Sequence, residues 1–461
     1  MTTNKININN LFYIFITSHL IIWTLVPSLT DRNLPLDTIE ALAWGSNLDW
    51  GFNKHPPASA FFVEVFYQMF GSNDWAYYLL SQIFVVISFF VVWKFSEEFF
   101  SDKIYSLLSV LLLEGIYFYN FTTPEFNVNV CQLPFWALTV YYCWKGIKLN
   151  DYVTWLLFGL FAALGILSKY LFIYLLIAID VFFIYLMIHK KLNYKCLISL
   201  VTFFLVLSPH LVWLVDNNYT TFTYAIHRTG IEDQNFFEAH LLNPVIFLGK
   251  QIGILIPLFI MFFVIVSKFK IKINYRDKKL LFLLAINIVP IIAMFLTSLL
   301  IGAKIRTMWM TPFYLFMGIL IVYIFQNKIV LKNLRYFGSI FLILFVLSPM
   351  TYLYISLTKT DKRTDYPGKK ISQEVQEKWE NNFTNKIALV AGDEWHGGNL
   401  IYHLEPRPKW DNILEAKKTI SLENIEGGFV IIGDADTLKK ICSGIFFKVE
   451  TQGVCMVGKK K

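Results

Sequence analysis

Runs of roughly eighteen or more mostly apolar residues follow one another from the N-terminus to about residue 357, and a helical run of that length crosses a hydrocarbon core of about 30 Å. No other feature constrains the fold as much. Inside lipid every backbone N–H and C=O must find a partner within the protein, so such runs become helices rather than loops or open strands. About eleven spans are expected, near 11–29, 76–95, 104–121, 127–147, 152–168, 170–188, 196–214, 243–267, 280–301, 308–326 and 335–357. Hydrophobic residues make up 56% of the chain and charged ones 16%, an apolar excess that a soluble fold cannot bury. The run Leu11–Leu29 has no small-residue cleavage site before Asp31, so it reads as a retained first helix and not as a signal peptide.

The loops between spans sort by charge. One set holds Lys94 and Lys103; Lys145 and Lys148; Lys190, Lys191 and Lys195; Lys268, Lys270, Lys272, Arg276, Lys278 and Lys279; and Lys328, Lys332 and Arg335. Cationic loops stay in the cytoplasm. The alternate set, 30–75, 122–126, 215–242 and 302–307, carries fewer than half as many cations and faces outward. An odd number of spans then puts the N-terminus inside and the tail outside, in the periplasm of a bacterial inner membrane. The formal charge of +8 is spread over these loops and not gathered in one basic domain, so a nucleic-acid partner is not expected.

From residue 358 the pattern turns mixed and charged, which divides the chain into a membrane domain, 1–357, and a small α/β domain, 358–461. The tail predicts a helix near 369–382, strands near 386–391 and 428–433, a helix near 435–442 and a hairpin near 445–458. Of the five cysteines, Cys131, Cys143 and Cys196 lie in apolar runs as small hydrophobes. Cys442 and Cys455 are placed to bridge in an oxidising compartment. His396 and His403 with Asp393 and Glu394 match no zinc-ligand spacing.

The first outward loop is too long and too patterned for a connector. From Thr38, and again after Pro57, apolar spacing suits a helix lying on the membrane surface. Asp37 and Glu40 stand three apart, on one helical face. The block Asp37, Glu40, Trp44–Gly45, Trp50–Gly51, Lys54, His55, Pro56 and Pro57 resembles that of GT-C membrane glycosyltransferases, in the branch of protein O-mannosyltransferases and the lipid A aminoarabinose transferase. The turn Thr123-Pro124-Glu125 is similar to that family's Thr-Pro-Asp, with a longer carboxylate. Lys169, in Ser168-Lys169-Tyr170, looks like its lysine at the outer end of a helix, and the tail blocks YPGKK, GDEWHGGN and EPRP resemble those of bacterial members.

The resemblance implies a GT-C fold and an inverting transfer of sugar from a polyprenyl phosphate to an envelope acceptor, lipid A being favoured. Asp37, Glu125 and Glu40 are the candidate catalytic carboxylates, for a carboxylate can take the acceptor's proton or steady positive charge on the sugar. His55, Lys54, Lys169 and Arg306 are the candidate donor-phosphate residues. No motif calls for a cofactor, and the carboxylates leave room for a divalent metal. Plainer readings stand beside these: outward carboxylates as solvated charges, and Lys169 and Arg306 as cations snorkelling to lipid headgroups. A protein O-glycosyltransferase would share the first loop. A lipid-linked sugar transporter would need charges deep in the spans, where only Glu114 and Asp180 stand out.

Overall fold

The computed structural model describes residues 7–230, 235–268, 274–412 and 427–461; Lys270 and Lys272 lie outside them. Among the described residues, seven helices have the length and apolarity of spans: Ile8–Thr30 (α1), Asp74–Ser96, Tyr170–Ile188, Tyr194–Asp216, Glu238–Phe263, Lys278–Ile301 and Leu331–Thr358. An eighth is bent by 50° between Thr307–Tyr314 and Met317–Lys328. The other three expected segments are helical but short or broken. Residues 103–111 form an α-helix that passes into 3-10 turns at Leu112–Gly115 and Tyr117–Tyr119. The segment 127–147 divides into Val128–Cys131 and Leu133–Leu149, with Pro134 in the first turn of the second helix, where its missing N–H costs nothing. Tyr152–Ser168 is a continuous 17-residue helix.

Gly115, in the first of these turns, meets another helix closely. A Cβ there would stand 2.6 Å from the backbone nitrogen of Leu258, so glycine lets helix Asn243–Phe263 close on the turn. Glu114 beside it is buried, 3.5 Å from His19 of α1, and Asn120 donates to its Oε1 at 3.1 Å. This acid pairs off inside the helical wall.

The contacts sort the loops onto two ends. Lys103 reaches Asn9 and Glu97, Lys145 and Lys148 share Glu98, and Lys279 donates to the Glu98 carbonyl. At the opposite end, Asp31 accepts from Tyr352 and Ser356, Arg32 N–H bonds the Thr364 carbonyl, and Thr221 donates to the Phe52 carbonyl. The lysine-rich loops therefore share one end, as the charge pattern requires.

Both surface helices of the first loop form, as Leu36–Gly45 (α2) and Ala58–Phe70 (α3). The C-terminal segment sits on them. Its five-stranded sheet has the order β2-β1-β3-β5-β4, with β1 Ile387–Ala391, β2 Lys409–Asp411, β3 Gly428–Asp434, β4 Ile445–Val449 and β5 Gln452–Val457. β1 runs parallel to β2 and β3, while β5 runs antiparallel to β3 and β4. Helices Gly368–Asn382 and Ala435–Ile441 fall where the periodicity puts them. Helix His396–His403 and the three-residue β2 are additions, since two glycines and a short extended stretch carry little periodic signal.

Several contacts strap this segment to the first loop. The position of a Cβ on Gly398 lies 2.8 Å from the Ile39 side chain, so helix His396–His403 meets α2 almost backbone to backbone. Arg407 pairs with Glu64 of α3 at 2.6 Å and donates to the Leu42 carbonyl at 2.7 Å. Trp410 N–H donates to the Ser46 hydroxyl at 2.9 Å, and Tyr402 donates to Asp74 at 2.7 Å.

Cys442, at the end of helix Ala435–Ile441, is bridged to Cys455 on β5. The bridge closes a loop of 13 residues, worth roughly 3 kcal/mol in the chain-entropy model. Reduction should therefore lower the unfolding midpoint of the C-terminal segment. A membrane-impermeant thiol reagent should label both cysteines only after reduction under denaturing conditions, and labelling of both without reduction would reject the bridge.

Candidate active site

The first turn of α2 is the starting point. Pro35, its N-cap residue, provides no side-chain cap, which leaves the first N–H groups unanswered. Glu125 answers one of them from another loop, its Oε1 accepting the Asp37 N–H at 3.0 Å, and Thr38 donates to the Phe126 carbonyl at 3.2 Å. The loop that carries Glu125 thus fixes the pitch of α2. Asp37 and Glu40, one turn apart, both face a cavity of about 480 Å³ at the end of the bundle away from the lysine-rich loops.

The cavity gathers six of the seven candidate residues: Asp37, Glu40, Lys54, His55, Lys169 and Arg306. Glu125 lies behind Asp37 and lines a second cavity, of about 430 Å³, that shares Leu36 with the first. Burial is the largest influence on Asp37 and, with the neighbouring Glu125 carboxylate, raises it to about 7 against the pull of Lys169, Lys54 and Arg228. Burial likewise raises Glu125. Glu40 is pushed up to about 7 by burial, although Lys54 stands 3.0 Å away and opposes the shift.

Lys54 is held by two carboxylates, Glu40 at 3.0 Å and Glu394 of the C-terminal segment at 3.2 Å. Burial alone would lower it, but the two acids outweigh burial and leave it raised. Lys54 is therefore a firmly charged cation whose position depends on a residue far along the chain. His55 differs: burial first, then Lys169, Lys54 and Arg228, lower it to about 3. It stands edge-on to Trp44 and Tyr224, so at neutral pH it offers a hydrogen bond to a ligand and not the positive charge expected of it.

Lys169 caps helix Tyr152–Ser168 in an extended conformation, which turns its side chain off the helix and into the site. Its ammonium donates to the Asn129 side chain and lies 5.3 Å from the Trp309 ring centroid. With 7% of its surface exposed, it is no snorkelling lysine. Arg306 stands at the open rim.

Arg228 escapes the motif reading, yet it lines the same wall. Helix Thr220–Thr229 brings it there, along with Thr221, Tyr224 and Ala225, and their spacing of three and four residues puts them on one helical face. That spacing is the signal in the sequence. Nearby, His210 bonds the Trp50 carbonyl at 2.6 Å and Tyr170 at 2.7 Å, and His240 bonds the Leu299 carbonyl at 2.8 Å. His396 pairs with Asp393 at 2.6 Å, and among the described residues no three His, Cys, Asp or Glu side chains gather around one point. The arrangement suits an anion held by Lys169, Arg228 and Arg306 beside a raised carboxylate able to take up a proton.

Residues 54–213 match the family model of dolichyl-phosphate-mannose-protein mannosyltransferases. Two crystal structures of ArnT from Cupriavidus metallidurans share the fold. The one bound to undecaprenyl phosphate superposes with a TM-score of 0.64 at 12% identity, over 97% of this chain and 98% of that one. The apo form gives 0.61 at 14% identity, over the same shares. Among curated proteins none matches significantly. This chain shares the fold of ArnT, and its segment 54–213 is similar to dolichyl-phosphate-mannose-protein mannosyltransferases.

Proposed function

We propose that this GT-C chain is an inverting glycosyltransferase, taking a sugar from a polyprenyl phosphate and placing it on an envelope acceptor, lipid A being favoured, at the periplasmic face of the inner membrane. One observation carries the reading: a single cavity at the membrane boundary joins Asp37 and Glu40 to Lys169, Arg228 and Arg306. Cations of this kind hold a phosphate as the glycosidic bond to it breaks, and a guanidinium can do so with two parallel hydrogen bonds. The acceptor oxygen gives its proton to Asp37 as it bonds the anomeric carbon. The polyprenyl phosphate leaves from the opposite face with the electron pair, so the configuration inverts. Lys54, held by Glu40 and Glu394, adds a fixed charge beside the leaving phosphate, and the lysine-rich loops face the cytoplasm.

The match of residues 54–213 to protein mannosyltransferases favours one rival acceptor, a polypeptide. Mass spectrometry of lipid A and of envelope proteins, from cells with and without the chain, separates the two.

The donor site is tested by binding. Replacing Lys169 or Arg306 with alanine removes a charge-assisted contact worth about 1.5–3 kcal/mol, so the affinity for undecaprenyl phosphate should fall more than tenfold. Retention of parental affinity by both variants would reduce these cations to headgroup anchors and remove the basis of the donor site.

A further inference from the structure

We infer that the cavity at the lysine-rich end, between the loops that follow helices Leu133–Leu149 and Tyr170–Ile188, is a binding site for the phosphate headgroup of an anionic phospholipid in the adjoining leaflet. The site lies at the other end of the bundle from the cavity of Asp37 and Lys169, so the inference stands apart from the donor reading.

Helix ends build this cavity, of about 260 Å³. Asn150 closes helix Leu133–Leu149 in the left-handed conformation, which its short amide side chain tolerates. Lys190 turns the chain out of helix Tyr170–Ile188 in the same conformation. Trp155, from the first turn of helix Tyr152–Ser168, completes the wall. The position of a Cβ on Gly146 lies 2.9 Å from its ring, so glycine there lets the indole lie against the backbone of helix Leu133–Leu149.

Two independent observations mark a ligand site. The first is charge left without compensation. Elsewhere at this end the lysines are matched, Lys94 and Lys103 with Glu97 and Lys145 and Lys148 with Glu98. Lys190 and Lys191 line the cavity, exposed, and have no acidic partner among the described residues. Lys278 lies near enough to Lys191 to feel its charge. The acid beside Asn150, Asp151, is taken by the N–H and hydroxyl of Thr154 at 2.9 and 2.6 Å, and Lys195 is spent on the Asn150 carbonyl at 3.2 Å.

The second observation is a pair of buried polar atoms without partners among the described residues. Trp155 is 1% exposed, and its indole N–H, which can only donate, meets no acceptor; the side-chain oxygen of Asn150 meets no donor. Leaving such groups buried and unanswered costs stability. A phosphate oxygen answers the indole, and a headgroup hydroxyl answers the amide. The surroundings favour a lipid over a free ion, because Leu149, Val153, Met187 and Ile188 stand exposed next to the cavity as a surface for acyl chains. Basic pockets between membrane helices at this boundary are where anionic headgroups bind.

Native mass spectrometry of the detergent-purified full chain tests the site, with phosphatidylglycerol as probe and phosphatidylcholine of the same acyl chains as the zwitterionic control. The parent should hold phosphatidylglycerol about tenfold more tightly, the factor expected of a charge-assisted contact. Lys190→Gln with Lys191→Gln should abolish that preference, while Lys94→Gln with Lys103→Gln, from the matched set, should keep it within about twofold. Asn150→Asp retains a residue that tolerates the left-handed turn and sets a negative charge against the phosphate, so it should also weaken phosphatidylglycerol about tenfold. Trp155→Phe, which removes only the N–H donor, should weaken it about fivefold. Equal binding of the two lipids by the parent, equal losses in the two lysine pairs, or parental affinity in all three cavity variants would overturn the site. Displacement of phosphatidylglycerol by an equal concentration of inorganic phosphate would assign the cavity to a soluble anion and overturn the lipid.

Discussion

Asp37→Asn is expected to lower turnover by about 10²–10⁴-fold, the range a positioned general base contributes, while the protein still inserts and still binds undecaprenyl phosphate. Asparagine keeps the size of the side chain and removes its charge and basicity. The same residue sets a pH limb. Burial holds Asp37 at about 7, and a base works only when ionised, so kcat/KM of the parent should fall about tenfold per pH unit below about 7. The asparagine variant should lose that limb. Glu125→Gln should be milder, because the glutamine carbonyl can still accept the Asp37 N–H that Glu125 holds at 3.0 Å. Equal losses in the two variants would mean that the carboxylates titrate as one pair. Near-parental turnover of Asp37→Asn would end the assignment of Asp37 as the base.

Arg407→Ala is expected to release the C-terminal segment. Arg407 and Glu64 are each only 9% exposed at the side chain and pair at 2.6 Å. Removing one partner of a buried pair strands the other and costs about 3–5 kcal/mol. Arg407 also donates to the Leu42 carbonyl and lies over the Tyr67 ring at 3.8 Å, so its loss loosens α2 and α3 together. Limited proteolysis should cut the variant near residues 358–367 under conditions that leave the parent whole, and its thermal midpoint should fall. Replacing both partners, with Glu64→Leu and Arg407→Met, should recover much of the loss, because a matched apolar pair leaves no buried charge alone. A single variant as protease-resistant as the parent would show that the other straps suffice.

Apolar periodicity locates all eleven helical segments and most of the tail, because lipid leaves the chain few alternatives. It misses the breaks. Past the interruption after residue 111, Gly115 admits the Leu258 backbone, a contact between segments more than a hundred residues apart that no local window contains. The first-loop motif brings out Asp37, Glu40 and Lys54, since their spacing is local. It assigns His55 a charge that burial takes away, because a motif records residue type and not surroundings. Arg228 is visible only once Thr221, Tyr224 and Arg228 are read as one helical face. Glu394 stands in the sequence two residues before His396, as one of four residues that match no zinc-ligand spacing, and only the folded chain brings it to Lys54.

That last contact has a consequence for how the protein is made. Lys54 emerges from the ribosome early, and Glu394 follows about 340 residues later, an interval of roughly 17–70 s at 5–20 residues per second. Throughout it the carboxylates of the first loop exist without the partner that seats their lysine, and α2 without the helix that packs on Ile39. The geometry around Lys54 is completed last, after the final apolar helix has been made and the segment beyond it has folded. Ribosomal direction thereby becomes a checkpoint: a copy stalled partway through synthesis carries the whole first loop, but not the clamp that sets it.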